Sequence, residues 1–224
     1  MTARSTRSLL CILLLAFVAV QARAQTYEWV RTFGSNNNDR GLCTTSDAHG
    51  NVYTTGFFRG TADFDPSSTG TLDLSTGGQN NPFIQKLDAN GDLVWAVSFL
   101  PSATGQAQAI AVDDSGSVYT AGTFFGTADF DPGPGTTNLT SAGGRDVFVQ
   151  KLDSNGLFVW ARSFGGPNDD DPFSIHVDAA GNVYTVGSFF TTCDFDPGPG
   201  TFERTSAGGR DVFVQKMDEN GDFQ

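Results

Sequence analysis

The sequence is poor in the residues that carry most enzyme chemistry. It has two histidines, His49 and His176, and three cysteines, Cys11, Cys43 and Cys193, in 224 residues. No His or Cys sits at metal-ligand spacing, and no Ser or Cys lies in a nucleophile motif. Positive charge is also scarce: 13 Lys and Arg face 25 Asp and Glu, a net charge of −12. Such a surface repels nucleic acid and anionic lipid, and it favours solubility or cation binding. Nowhere does the apolar pattern follow a helical period. Outside the first two dozen residues, no run is apolar enough to cross a bilayer.

That N-terminal stretch reads as a secretory signal peptide. Arg4 and Arg7 precede the apolar run Leu9–Val20, and Ala22-Arg23-Ala24 forms an A-x-A cleavage site before Gln25. A membrane anchor is the weaker reading, because a span needs about 20 apolar residues. Cleavage removes three arginines and no acid, so the remaining charge is (13 − 3) − 25 = −15. The expected location is secreted, periplasmic or cell-surface. Export permits a disulfide, but two cysteines make no framework. Cys43 and Cys193 read as small buried fillers.

What the sequence has in abundance is repetition. Trp29, Trp95 and Trp160, the Val-Tyr-Thr triplets at Val52, Val118 and Val183, and the Asp-Phe-Asp-Pro loops at Asp63, Asp129 and Asp194 recur at intervals of 66 and 65 residues. Residues 140–151 and 205–216 are identical. Within each repeat, short apolar and β-branched runs alternate with Gly-containing turns. Asn90-Gly91, Asn155-Gly156 and Asn220-Gly221 are hairpin signals, read as turns in which both residues take positive φ. Each repeat should therefore form about four antiparallel strands. Both faces of these strands carry apolar or small residues, as face-to-face stacked propeller blades require. Gly56, Gly122 and Gly187 inside the strands are expected where backbones crowd near a central axis.

Phrases such as SFGGPNDDDPFSIHVDAAGNVYTVGSFF and GGRDVFVQKLDSNGLFVWARSFGG resemble the bacterial β-propeller repeat family often called SBBP, over essentially all of residues 27–224. The resemblance implies an exported or surface-associated bacterial protein in which the propeller is one module. It brings no general reaction and no catalytic residues. The expected organisation is a signal peptide at 1–24 and an all-β repeat array at 25–224, with an N-terminal strand at 27–34. The repeats fall at about 35–100, 101–165 and 166–224, the last lacking its final strand. Closed propellers usually have four to eight blades. Three readings follow: a piece of a longer chain, which is preferred, a three-bladed ring closed by its own N-terminal strand, or strand sharing between copies.

The best sequence candidates for chemistry are Asp63 and Asp65, Asp129 and Asp131, and Asp194 and Asp196. In an extended chain each i, i+2 pair points to one side, an arrangement suited to Ca²⁺. The preferred alternative is that each Asp caps a turn while the intervening Phe anchors the loop in the core. Asn168–Asp171 is expected to be a solvated connection between blades. No catalytic and no other cofactor residue is assigned. The expected function is a non-enzymatic extracellular propeller module that acts as a binding scaffold or surface component, its partner an unknown protein or glycan. A dedicated glycan-binding module and a propeller hydrolase or lyase are the alternatives.

Overall fold

The computed structural model describes residues 28–100 and 103–224, so the expected signal peptide at 1–24 lies outside the described residues. The described chain is all-β and built of propeller-type blades. In the first, β1 (Arg40–Ser46), β2 (Val52–Phe58), β5 (Asn81–Leu87) and β6 (Leu93–Ser98) form an antiparallel sheet in the order β1-β2-β5-β6. A short ribbon of β3 (Thr61–Asp63) and β4 (Asp73–Ser75) extends the central hairpin. The second repeats this with β7 (Thr104–Val112), β8 (Val118–Phe125), β11 (Asp146–Leu152) and β12 (Phe158–Phe164), plus the ribbon β9 (Thr127–Asp129) and β10 (Asn138–Thr140). The third has three strands, β13 (Asp171–Val177), β14 (Val183–Asp194) and β15 (Glu203–Met217). There the ribbon is continuous with the sheet, broken only by a register shift between Phe190 and Thr192.

The first strand of each blade lies innermost, with β7 packed against both β1 and β13. The hairpin turns differ in detail from the expected geometry. Only the glycine of each turn has positive φ (Gly91 at 78°, Gly156 at 80°, Gly221 at 77°), while the preceding Asn stays right-handed. An Asp three residues before the glycine closes the turn: Asp88 Oδ1 accepts the backbone N–H of Asn90 at 2.8 Å and of Asp92 at 2.9 Å. This one left-handed residue also serves the β1–β2, β7–β8 and β13–β14 turns, where Gly50, Gly116 and Gly181 hold it without an Asn partner.

Crowding at the strand glycines is real, but it arises within the sheet. A Cβ on Gly122 would lie 2.1 Å from the Gln106 carbonyl and 2.6 Å from the Phe148 ring. A β-bulge between Ala107 and Ala109 pushes the inner strand onto it, and the other inner strands carry equivalent bulges.

The core is a repeated phenylalanine cage that crosses from blade to blade. In the second blade, Phe130 and Phe148 (5.1 Å between ring centroids) meet Phe124 and also Phe99 from the end of the preceding repeat. Phe33 caps the first cage, on Phe64 at 5.2 Å and Phe83 at 5.6 Å, and Phe164 caps the third. The segment 28–33 is not a hydrogen-bonded strand among the described residues. It docks through its side chains and ends in a single bridge, Gly34 to Asp63.

Candidate functional site

The Asp-Phe-Asp-Pro loops sit where the ribbon of each blade turns back. Phe64, Phe130 and Phe195 are buried, as expected of anchors. The first Asp of each pair accepts two backbone N–H bonds from one oxygen: Asp129 Oδ1 takes Asp131 at 3.0 Å and Thr137 at 2.8 Å. Asp63 binds Asp65 and Leu72 in this way, and Asp194 binds Asp196 and Phe202. Asp65, Asp131 and Asp196 each accept one more, from Ser67, Gly133 and Gly198. The second oxygen of Asp131 lies 2.1 Å from where a Cβ on Gly135 would be; Gly70 and Gly200 make the same approach to Asp65 and Asp196. The first loop is one residue longer and lacks the Pro-Gly pattern, yet Gly70 keeps this role. Among the described residues, no three His, Cys, Asp or Glu gather as a metal site.

A buried glutamine fastens each loop. Gln85, Gln150 and Gln215 donate from Nε2 to the carbonyls of Phe64, Phe130 and Phe195 at 2.6–2.7 Å. These residues escaped the sequence reading. The available signal was a Gln at one fixed repeat position inside an otherwise apolar strand.

The opposite ends of the hairpins form a rim with two successive clefts. The cleft between blades 1 and 2, about 490 Å³, is lined by Asp47, His49, Tyr53, Lys86, Asp113 and Asp114, among others. That between blades 2 and 3, about 640 Å³, is lined by Asp113, Asp114, Lys151, His176, Asp178 and Glu219, among others. Both histidines thus face a cleft. One network recurs here: Tyr53, Tyr119 and Tyr184 donate to Asp47, Asp113 and Asp178 at 3.1 Å. Lys86, Lys151 and Lys216 lie 5.0–5.8 Å above the same rings.

Burial pushes the Asp47 and Asp113 carboxyls up, but hydrogen bonds from Asn51, His49 and Tyr53, and from Ser115, Ser117 and Tyr119, outweigh it and leave both below the ordinary value. Hydrogen bonds from Asn182 lower Asp178. Burial and then the neighbouring Asp raise the Tyr53 phenol. The second cleft therefore sets four carboxylates against one lysine.

The seam between blades 2 and 3 holds a second acidic group of opposite character. Asp146 is 2% exposed; its Oδ2 accepts the Ala142 N–H at 2.8 Å, while its buried Oδ1 has no partner. Burial, and then nearby Asp170, push Asp146 up to about 7. Asp170 is fully buried and caps the Gly166 and Phe190 N–H groups, with burial raising it to about 6. The connection 168–171 is thus only partly solvated, against expectation: Asp170 is buried while the Asp169 side chain is 45% exposed. Arg145 pairs with Asp169 at 3.1 Å, and Arg210 with Asp171 at 2.6 Å, closing the loop over the seam. Cys193 is buried beside these acids and its thiol is held well above the ordinary range, whereas Cys43 is half-buried and packs against the edge of the core that holds Tyr53 and Ile84.

No family model matches the chain. It is similar to an uncharacterised WD repeat-containing protein of Acanthamoeba polyphaga mimivirus, 23% identical over 184 residues, which is 72% of this chain and 13% of that protein. The chain spans only a small part of that relative's length. WD repeats form four-stranded propeller blades, in keeping with the sheets described above.

Proposed function

We propose that this chain is an exported, non-enzymatic propeller module whose turn rim serves as a binding scaffold for basic segments of partner proteins. The observation that carries the reading is the pair of adjacent rim clefts. They repeat one Asp–Tyr–Lys framework, and Asp114 lines both while Glu219 adds to the second. The framework acids are lowered by their hydrogen bonds and stay ionised, so the field at both clefts attracts cations. Similarity to a WD repeat-containing protein supports a scaffold, and the resemblance to SBBP repeats supports export from a bacterial cell.

Selection of random peptides on residues 25–224, with a glycan array in parallel, tests this. The expected result is enrichment of Lys- and Arg-rich peptides whose binding weakens with salt. Binding should fall about tenfold when Asp114→Asn and Glu219→Gln are combined, since both side chains are exposed and serve no turn. Enrichment of glycans, or of peptides indifferent to salt, would overturn the reading. Activity in a glycosidase and lyase screen would replace it with an enzyme. Recovery outside the cytoplasm of a chain beginning at Gln25 would support export, and intracellular retention of the full-length chain would refute it.

A further inference from the structure

The two seams differ at three positions that lie together, and the differences are matched. Between blades 1 and 2 these are Asn81, Leu100 and Gly105; between blades 2 and 3 they are Asp146, Gly165 and Asp170. The backbone shows the equivalence. Leu100 and Gly165 donate to the carbonyls of Asp129 and Asp194, while Gly105 and Asp170 donate to those of Asn80 and Arg145. A Cβ on Gly105 would run into Leu100 Cδ1, so the leucine fills the space that a side chain at 105 would take. In the second seam the glycine and the side chain have changed places, and the side chain is the fully buried carboxyl of Asp170. Gly165 leaves room for its neighbour as well, since a Cβ there would lie 2.7 Å from Asp146 Oδ1.

The two buried acids are served unequally. Asp170 accepts the Phe190 N–H on Oδ1 at 3.1 Å and the Gly166 N–H on Oδ2 at 2.8 Å. Asp146 accepts only the Ala142 N–H, on Oδ2, and its buried Oδ1 has no donor. Asn81 shows what this position asks for: its Nδ2 donates to the Leu100 carbonyl at 2.9 Å. The equivalent acceptor is the Gly165 carbonyl, and a carboxyl can act as that amide does only with a proton on Oδ1. No cation bonds to either acid among the described residues. Arg145 is engaged with Asp169 and Asp171, and Arg210 with Asp171. On the adjoining β14, Asp194 holds the N–H groups of Asp196 and Phe202, and the Cys193 thiol is kept neutral.

We propose that the seam between blades 2 and 3 is a proton-dependent latch: Asp146 keeps a proton on Oδ1, donates it in a hydrogen bond to the Gly165 carbonyl, and so ties the 142–145 turn to the connection 165–171. Loss of that proton leaves a carboxylate in the interior beside a second carboxylate and a carbonyl oxygen, with nothing to neutralise it. The connection is the side that yields. It is held to the turn by two backbone bonds, Gly144 to the Pro167 carbonyl at 3.2 Å and Asp170 to the Arg145 carbonyl at 2.8 Å, whereas Asp146 begins a central strand of its sheet. Burial, and then Asp170, raise Asp146 to about 7, in keeping with a proton retained up to neutrality. The latch is therefore closed below neutral pH and loosened above it, and the Asn81 seam lacks the response. Cys193 lies beneath the connection, its Cα 3.4 Å from where a Cβ on Gly166 would be, and is uncovered when the latch opens.

Two measurements test this. In carbon-13 carboxyl spectra, with the resonance assigned by its loss in Asp146→Asn, Asp146 should be protonated at pH 6 and ionise as pH rises through about 7. The second uses the chain with Cys11→Ser and Cys43→Ser, in which Cys193 is the single thiol. Its rate of labelling by a thiol reagent, divided by the rate for the same chain in denaturant at each pH, gives the protection of Cys193 free of the thiol's own ionisation. Protection should fall about tenfold between pH 6 and 8.5. It should stay level when Asp146→Asn is added, because the amide donates as Asn81 does. An Asp146 carboxyl already ionised at pH 5.5 would overturn the proposal, and so would protection that does not change with pH in the parent chain. A fall that persists in Asp146→Asn would likewise overturn it, since the opening would then not depend on this proton.

Discussion

The two seams of this molecule are built on one repeat, yet they are chemically unlike. Between blades 1 and 2, Trp95 shares the Ser154 carbonyl with Lys86 and has no arginine beside it, since Val97 stands two residues on, and the buried position at the start of β5 is neutral Asn81, which donates to the Leu100 carbonyl at 2.9 Å. Between blades 2 and 3, Trp160 is joined by Arg162, which donates to the Gly221 and Asn220 carbonyls, and the equivalent buried position is Asp146. The backbone frame and the Phe cage set the geometry of both seams. The few positions outside that frame decide whether a seam is neutral or ionisable. Shape is thus inherited from the repeat, and response to solvent conditions is local to one seam.

The largest effect should come from removing the element both seams share. Trp160 is 7% exposed, packs on Tyr119 and stacks beneath Arg162. Trp160→Ala should destabilise by about 3–5 kcal/mol, as truncation of buried aromatics does. Trp95→Ala, at a half-buried position without an arginine, should lose less. Denaturant titration of the two variants measures the difference, and equal losses would mean that the seams are energetically alike.

Asp146→Asn makes the second seam resemble the first. A carboxyl whose folded pKa lies above its unfolded value binds its proton more tightly when folded. Its penalty is therefore absent below about pH 4 and complete above about 7. The turn acids Asp47, Asp113 and Asp178 act in the opposite sense, since they stabilise above their unfolded value and lose this as pH falls through their lowered ones. Wild-type stability should then peak near pH 4–5 and decline towards pH 8. Asp146→Asn should lessen the decline, leaving the part due to Asp170, which burial raises to about 6, and should gain about 2–4 kcal/mol at pH 8, from a shift of about three units at 1.36 kcal/mol each, reduced for relaxation. The converse change, Asn81→Asp, should import the decline into the first seam. An unchanged pH profile in both variants would refute the account.

The fold was legible because the repeat stands out: spacing of Trp29, Trp95 and Trp160 located the blades, and alternating runs located the strands. The Asp-Phe-Asp-Pro loops were read as turns with a buried Phe, and the backbone bonds to Asp63, Asp129 and Asp194 agree with that geometry. The misreadings were of two kinds. Asn-Gly suggested two left-handed residues, but an Asp three positions before the glycine closes the turn with only one. Asn168–Asp171 looked solvated because a run of three acids usually is. Burial of Asp170 depends on two N–H groups, from Gly166 and Phe190, and on arginines 24 and 39 residues from their partners, Asp169 and Asp171. No local pattern carries such information.

Smaller effects separate the ribbons of the blades. Gly60 and Gly126 turn the chain into the ribbons of blades 1 and 2 with φ of 85° and 82°, whereas blade 3 places Thr191 there at 62°. A β-branched residue in this region is strained by about 1–2 kcal/mol. Part of this is offset by the Thr191 hydroxyl, which accepts from Asn168 at 2.6 Å. Thr191→Gly should thus stabilise by about 1 kcal/mol, read as a raised melting temperature. A loss would mean that the hydroxyl contact outweighs the strain.

The smallest expected effect concerns the six loop carboxylates. Asp63, Asp129 and Asp194 each hold two backbone N–H groups on one oxygen, and Asp65, Asp131 and Asp196 hold one more. A cation drawing on those oxygens would compete with donors that define the loop, and a hard ion such as Ca²⁺ takes six to eight oxygen ligands. Melting curves in millimolar Ca²⁺ and in chelator should therefore coincide. Asp131→Asn should leave them coincident while lowering both slightly, because a neutral amide oxygen still accepts the Gly133 N–H but binds it less strongly than a carboxylate. A calcium-dependent rise abolished by Asp131→Asn would instead make these loops metal sites, and would shift the functional weight from the turn rim to the ribbon ends of the blades.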